Sequence, residues 1–230
     1  DGKPVYTTQK MIDLEKSVIA TAQHMQSNTT HNVHNRHKIE AIAAFNTQLA
    51  KDANGAQLTE QQREAIEKIT SGEQLSNMIG VAGAGKSTVL SVAREAWEKQ
   101  GFKVRGLALS GIAAEGLKDA GFKAETLHAL EARARLADEI TTQSAGRALS
   151  EKQAALVLDA TITANDILVI DEAGMVGADQ SNRVMQMAKQ AGAKVVLSGD
   201  YQQLQSIEAG KAFEQIVKQT PAENVAPHTE

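Results

Sequence analysis

The sequence predicts an α/β fold, in which a mainly parallel sheet is covered by helices and preceded by a helical appendage. Two observations predict it. From Leu58 onward, short apolar segments of strand length alternate with helical stretches, an order that is typical of parallel sheets. Before that point, residues 1–57 contain amphipathic patterns with helical spacing and no strand pattern. We therefore expect a helical appendage at 1–57, an α/β domain at 58–220 and a tail at 221–230.

The composition limits the size and kind of the molecule. The chain has 230 residues, 42% of them hydrophobic, which is enough for one well-buried domain with an appendage or for two small domains. A formal net charge of −4 indicates that any contact with nucleic acid is local and not made through a broadly basic surface. The absence of cysteine excludes disulfides and thiolate metal sites, and it fits a reducing cytoplasm. No apolar run has the length of a membrane span, and no signal peptide opens the chain. Because the first residue is Asp1 and not methionine, we expect a piece of a longer protein.

Two helices are predicted within residues 1–57. Thr8 can cap the first, whose apolar residues recur at three- and four-residue steps: Met11, Leu14, Val18, Ala22 and Met25. The second runs from about Lys38 to Ala50 and is ended by the sequence Asp-Ala-Asn-Gly at 52–55.

A polar stretch with three histidines, His31, His34 and His37, lies between these helices. On a helix, three-residue steps would spread the histidines over about 120° of one face, wide but not impossible for a shared metal ion. The stretch is rich in Asn and Thr, however, and has no nearby carboxylate or cysteine ligand. A solvated polar linker is therefore the stronger interpretation.

The α/β region contains four predicted strands: Asn77–Val81, Val104–Leu109, Ile167–Ile170 and Lys194–Ser198. The first is followed by a glycine-rich turn and a helix to about Lys99. Ligands of parallel sheets bind at the carboxyl ends of the strands, and three chemically distinctive segments stand at those ends.

The first segment fits the P-loop pattern G-x-x-x-x-G-K-[ST] between a strand and a helix. Its glycines Gly80, Gly83 and Gly85 let backbone N–H groups wrap a phosphate at the N-terminus of the following helix. Lys86 can place its charge on the β- and γ-phosphates, and the Ser87 hydroxyl can coordinate Mg²⁺. Thr88 completes the predicted nucleotide-binding set. The alternative is a glycine-rich turn that merely caps a helix, which the strand–loop–helix context disfavours.

The second segment ends a fully apolar strand with two carboxylates, Asp171 and Glu172. Asp171 is expected to hold the magnesium ion, and Glu172 to polarise the attacking water as general base. In the third segment, Ser-Gly-Asp-Tyr-Gln-Gln-Leu, the glutamine Gln203 stands four residues after Gly199. Its uncharged amide can hydrogen-bond the γ-phosphate and report the loss of that phosphate.

Together these segments resemble motifs I, II and III of superfamily 1 helicases, and among these the RecD-like branch. The resemblance implies a RecA-like fold for 58–220, ATP and Mg²⁺ as cofactors, and ATP-driven movement along single-stranded DNA. It also implies a second RecA-like domain of the same parent chain, which supplies an arginine finger. Because the sequence stops soon after motif III, we expect this piece to bind ATP but to hydrolyse it poorly.

Three lesser matches agree with this branch. Leu58–Gln62 resembles the upstream glutamine motif, in which Gln62 reads the adenine, although Thr59 and Gln62 also have the spacing of a helix capping box. Ser110-Gly111 resembles motif Ia and Thr126-Leu-His128 resembles motif Ib, both of which line the DNA in the family. A plain cap at Ser110 and a structural role for His128 are the alternatives.

Within this branch, the sequence resembles more specifically the helicase half of large conjugative relaxases of the TraA-like, Ti-type and MobF kind. Residues 6–15 and 199–213 resemble that group, which places the parent in the bacterial cytoplasm with other relaxosome proteins as possible partners. Relaxase nicking needs a tyrosine nucleophile and a three-histidine metal cluster; the chain has Tyr6 and Tyr201 but no such cluster, so we do not expect nicking here. The alternatives are a stand-alone RecD-like helicase or exonuclease subunit, and a nucleotide-gated module that binds DNA or protein without translocating.

Overall fold

A computed structural model describes residues 8–52, 57–81, 83–200, 211–220 and 222–224. The first part is helical, with α1 at Gln9–Ser27, α2 at Asn35–Asp52 and α3 at Glu60–Ile69. Strands and helices then alternate: β1 Leu75–Ile79, α4 Lys86–Gln100, β2 Lys103–Ala108, α5 Gly111–Asp119, β3 Lys123–Thr126, α6 Leu127–Ser144, α7 Glu151–Ala160 and β4 Asp166–Ile170. A short 3₁₀ helix at Ala173–Met175 follows, and then α8 Ala178–Ala191, β5 Lys194–Gly199, α9 Lys211–Gln219 and β6 Ala222–Asn224.

The strands form one sheet in the order β3-β2-β4-β5-β1-β6, and every neighbouring pair is parallel. The predicted parallel α/β sheet is therefore confirmed. Strands β1, β4 and β5 are buried along their whole length, as expected of a sheet that is covered on both faces. Because all strands point the same way, their carboxyl ends lie along one edge of the sheet.

Two hydrophobic cores lie on the two faces of the sheet. One contains apolar side chains of α2, α3, α4 and α5, with Trp97 as its largest fully buried residue. The other contains side chains of α1, α8 and α9, together with the start of α6. From α1 it takes Val18, Ala22 and Met25, each 0% exposed. The two helices before residue 57 therefore share the cores of the sheet, one on each face.

The helix predicted after Thr8 is confirmed, since the Thr8 side chain accepts a hydrogen bond from the Met11 backbone N–H. The second predicted helix also exists, but it starts three residues earlier, at Asn35. Two strands were not predicted, β3 and β6. Residues 222–224, predicted to lie in a tail, pair with β1 at the edge of the sheet.

The prediction of a solvated linker around the three histidines is wrong for His31. Residues 28–34 run along the amino edge of the sheet and connect α1 on one face to α2 on the other. The His31 backbone N–H donates to the Gly72 carbonyl over 2.9 Å, and its ring nitrogen Nε2 lies 3.1 Å from the Ala164 carbonyl oxygen. Burial and the nearby charge of Lys194 lower the pKa of His31. The ring is 1% exposed and packs against Phe102, which the polar composition of the stretch does not reveal.

A buried lysine lies close to this segment. Lys194 starts β5, and its amino group donates to the carbonyl oxygens of Ser71 and Glu73 and to the Ser76 hydroxyl. Burial lowers the pKa of Lys194 to about 7, far below the value near 10.5 of the exposed side chain. Between these two pH values the unfolded chain holds a proton that the folded chain has released.

Stability should consequently rise with pH over this range. We expect the free energy of unfolding to increase between pH 7 and 9 by up to about 1.4 kcal/mol per pH unit from this one group. Replacing Lys194 by Met should remove that slope, whereas the same change at the exposed Lys118 should preserve it. The measurement is urea unfolding of the three proteins at several pH values. Identical slopes in all three would show that Lys194 keeps an ordinary pKa.

In the part of the chain that the structure describes, no helix combines the length and apolar character needed to cross a membrane.

Candidate nucleotide-binding site

The glycine-rich segment forms a turn between β1 and α4, as its pattern predicts. Gly83 and Gly85 have φ angles of +78° and +80°, a backbone region that is open to glycine and costly for other residues. The helix then starts at Lys86, so the N–H groups of its first turn are directed toward the loop. This arrangement supplies the donors and the positive end of the helix dipole that a phosphate requires.

Lys86 lies inside the loop that precedes it. Its amino group donates hydrogen bonds to the Gly80 carbonyl oxygen over 2.5 Å and to the Val81 carbonyl oxygen over 3.1 Å. Ser87 is exposed and Thr88 half-buried on the first turn of α4. The structure therefore places the lysine amino group inside the loop and the two hydroxyl-bearing residues on the first turn of the helix that follows it.

Asp171 and Glu172 follow β4, two strands away from β1 in the sheet. The Asp171 carboxylate oxygen Oδ1 accepts from the Glu172 backbone N–H over 3.0 Å and from the Ser198 hydroxyl over 2.9 Å. Glu172 has a φ angle of +53°, one of two non-glycine residues with positive φ in the described chain. Such a conformation costs about 1–3 kcal/mol and persists where the surroundings impose it, often at functional sites.

The ends of β1, β4 and β5 meet in one pocket. Its volume is about 190 Å³, and its lining includes Lys86, both carboxylates and the end of β5: Lys86, Asp171, Glu172, Gly174, Met175, Gly199 and Asp200. Gly80 of the first segment donates its N–H to the Gly199 carbonyl over 3.1 Å, which joins the first and third segments directly. Gln203 and both tyrosines lie outside the described residues, so the predicted role of Gln203 stays a prediction.

Pocket size does not by itself identify this site. A groove of about 790 Å³ between α2 and α3 is larger, but none of its lining residues belongs to the three segments. The smaller pocket is the better candidate because it combines a lysine with two carboxylates at strand ends, where parallel sheets bind ligands. Gly174 and Met175 also line the pocket but were not predicted as site residues. They lie on the 3₁₀ helix, which has three residues and is too short to show a periodic sequence pattern.

Gln62 forms the capping box and also touches the loop. Its side-chain oxygen accepts from the Thr59 N–H over 3.0 Å, while the Thr59 hydroxyl accepts from the Gln62 N–H over 3.2 Å. On its other side, a methyl group added at Gly85 would come within 2.3 Å of the Gln62 side-chain nitrogen. The helix cap therefore holds Gln62 against the glycine-rich segment at 80–87, which we call the phosphate loop. The predicted contact of Gln62 with adenine stays a prediction.

Gly85 should tolerate substitution less well than Gly83. Both have positive φ, but only Gly85 has a neighbour that an added methyl group would strike. We expect Gly83→Ala to lower the free energy of unfolding by about 1–2 kcal/mol through the backbone alone. Gly85→Ala should cost about 0.5–1.5 kcal/mol more, because the Gln62 amide must turn away and weaken its bond with the Thr59 N–H. Denaturant unfolding of both variants measures the difference, and equal losses would contradict the close contact.

The residues predicted to line DNA stand at the same edge of the sheet. Ser110 follows β2 and caps α5, its hydroxyl accepting from the Ala113 N–H over 3.2 Å. Thr126 ends β3 and caps α6 by accepting from the Ala129 N–H over 3.1 Å. Gly111 and His128 are both exposed. The helix caps are thus observed, and contact with DNA at these four residues stays a prediction.

A family model described as an AAA domain matches residues 57–226. The chain belongs to the AAA domain family. The match spans the glycine-rich loop, both carboxylates and the six strands found in the described residues.

The chain is similar to part of several conjugation proteins. It is 38% identical over 212 residues to "Probable conjugal transfer protein TraA" of Sinorhizobium fredii, and 37% identical over 213 residues to "Conjugal transfer protein TraA" of Agrobacterium fabrum. These alignments cover 92% of the chain but only 16% of each TraA protein. "Multifunctional conjugation protein TraI" of Escherichia coli is 27% identical over 188 residues, covering 69% of the chain and 10% of TraI. The predicted resemblance to TraA-like proteins is confirmed.

Among solved structures, the Pif1 helicase from Candida albicans superimposes with a TM-score of 0.50 and 21% sequence identity. The likeness covers 76% of the chain and 41% of the Pif1 chain. At this identity it establishes the fold alone, and it confirms the predicted RecA-like α/β architecture.

Proposed function

We propose that the chain is the ATP-binding first motor domain of a DNA helicase within a conjugative relaxase. The observation that carries the proposal is the single pocket in which Lys86, Asp171 and Glu172 meet. A phosphate-binding loop beside two carboxylates is the arrangement that ATP with a divalent cation requires. The similarity to TraA and TraI supports conjugative transfer as the setting, in the bacterial cytoplasm with other relaxosome proteins as partners.

The donor set fits magnesium, because Ser87 and Asp171 both offer oxygen and Mg²⁺ prefers oxygen ligands. When bound, the ion offsets the charge of the β- and γ-phosphates. Lys86 exchanges its bonds to the Gly80 and Val81 carbonyls for bonds to those phosphates. Glu172, exposed at the pocket, accepts a proton from the attacking water as general base.

The remaining parts of the mechanism are also proposals. Gln62 binds adenine from the start of α3, and Gln203 couples the loss of the γ-phosphate to opening of the cleft. Ser110, Gly111, Thr126 and His128 bind single-stranded DNA. A second RecA-like domain of the same parent completes the cleft and supplies an arginine. Arg183 is not placed for that task, since its guanidinium is bonded to Glu131 and Asp179. Without the second domain, we expect ATP binding with poor hydrolysis.

Binding of a fluorescent ATP analogue with Mg²⁺ tests the site. We expect Lys86→Ala to weaken binding at least about 100-fold, since it removes the charged hydrogen bonds to two phosphates. The matched control is Lys118→Ala, an exposed lysine on α5 that pairs with Glu115. Unchanged binding by Lys86→Ala, with the control also unchanged, would remove the phosphate loop from the proposal.

A nucleotide-gated binding module is the second candidate, favoured by the net charge of −4. The two functions differ in turnover. A helicase motor extended through the second domain should hydrolyse ATP faster with single-stranded DNA, whereas a gated module should bind DNA without such stimulation.

A further inference from the structure

The strand β5 lies between the strand that leads into the phosphate loop and the strand that leads into the carboxylates. The last two residues of β5, Ser198 and Gly199, bond to these two segments, one residue to each. The Ser198 hydroxyl donates to Asp171 Oδ1 over 2.9 Å, and the Gly199 carbonyl accepts from the Gly80 N–H over 3.1 Å. Ser198 is 0% exposed, so no water competes for its hydroxyl.

The hydrogen bonds to Asp171 are unevenly divided between its two oxygens. Oδ1 accepts from both the Ser198 hydroxyl and the Glu172 N–H. Within the described ranges, no donor is directed to Oδ2. A carboxylate on a short side chain can rotate about its Cβ–Cγ bond, and two donors on one oxygen fix that rotation. The arrangement saturates Oδ1 and leaves Oδ2 as the oxygen available to a cation in the pocket.

We propose that Ser198 is a positioning residue that orients the Asp171 carboxylate for the divalent cation bound with ATP. The inference rests on the proposed function, because it presumes that Asp171 helps to hold Mg²⁺. Ser198 itself touches neither the cation nor the nucleotide; it acts through Asp171. Outer partners that orient a ligating carboxylate commonly contribute about 10–100-fold to metal affinity.

The position suits serine in particular. Alanine and glycine have no donor, and the Ser198 side chain is wholly buried beside Asp171, which leaves little room for a larger one. Ser198 is also one residue from Gly199, where an added methyl group would come within 2.9 Å of the Phe213 ring. The packing of α9 against the end of β5 therefore fixes the backbone from which the Ser198 hydroxyl reaches Asp171.

The test compares ATP affinity with and without the cation. We expect Ser198→Ala to weaken binding of a fluorescent ATP analogue about tenfold in excess Mg²⁺ and to leave binding in EDTA unchanged. Electron paramagnetic resonance of Mn²⁺ with ATP should show the same loss in affinity for the ion. Asp171→Asn should weaken Mg²⁺-dependent binding too, and adding Ser198→Ala to it should cause no further loss.

Ser76→Ala is the matched control, since Ser76 is buried on the neighbouring strand but its hydroxyl bonds to Lys194. It should leave Mg²⁺ dependence unchanged, and thermal unfolding should show that both serine variants are folded. Three results would overturn the proposal: full Mg²⁺-dependent affinity in Ser198→Ala, equal losses in Mg²⁺ and EDTA, or additive losses with Asp171→Asn. If the unaltered chain binds no ATP in either condition, the proposed function fails and this inference fails with it.

Discussion

Replacing Glu172 by Gln is expected to lower ATP hydrolysis by about 10²–10⁴-fold while ATP binding persists, because the amide cannot accept a proton from the attacking water. The side chain is exposed at the pocket and is held there by a backbone with positive φ. The shape and hydrogen-bonding reach of glutamine are similar, so the affinity for ATP with Mg²⁺ should change little. The measurement is single-turnover hydrolysis in a chain that also carries the proposed second motor domain.

The matched control for this experiment is Glu115→Gln on the exposed surface of α5, which should leave hydrolysis unchanged. Loss of binding together with hydrolysis would mean that Glu172 holds the nucleotide and does not activate water. Normal hydrolysis by Glu172→Gln would assign the base to another group.

The second large effect concerns stability. Asp166, 1% exposed at the start of β4, accepts from Arg105 Nε over 2.8 Å and from the Thr163 N–H and hydroxyl over 2.9 and 2.7 Å. Arg105 also donates to the carbonyl oxygens of Asp159 and Thr161. We expect Asp166→Ala to lower the free energy of unfolding by about 3–5 kcal/mol, since it leaves a buried guanidinium without its counter-charge.

Urea unfolding measures this effect, with Asp138→Ala on the exposed surface of α6 as the control. Changing Arg105 to Met and Asp166 to Leu together should cost less than Asp166→Ala alone, because no unpaired charge remains. A loss in Asp166→Ala no greater than in the control would show that the pair contributes nothing.

The sequence predicts best where the determinants are local. The phosphate loop depends on glycines at fixed spacing and on a strand and helix at its two sides, and its position was predicted correctly. Four strands were also found, although β1 starts two residues before its predicted first residue. Polar residues obscure that start: Gln74 and Ser76 are buried, and their side chains bond to Ala193 and Lys194. Such partners, more than a hundred residues away, leave no local pattern.

The strands that were missed are short and lie at the edges of the sheet. In β3, the four residues Lys-Ala-Glu-Thr are partly exposed and show no alternation, and β6 has three residues. Pairing with β2 and β1 creates these strands, so their own residues carry little signal. Beside the pocket, the contact of Gln62 with Gly85 and the bond from Ser198 to Asp171 were missed for the same reason. Each joins segments that meet only after folding.

The segment at residues 28–34 should affect how the molecule unfolds. It joins a helix on one face of the sheet to a helix on the other, and the N–H groups of His31 and Val33 fasten it to Gly72 and Thr70 at the amino edge. Neither helical layer can detach without releasing this segment and uncovering the strands beneath. We therefore expect the two cores to unfold as one cooperative unit, and local opening to be easier at the opposite edge, where the pocket lies.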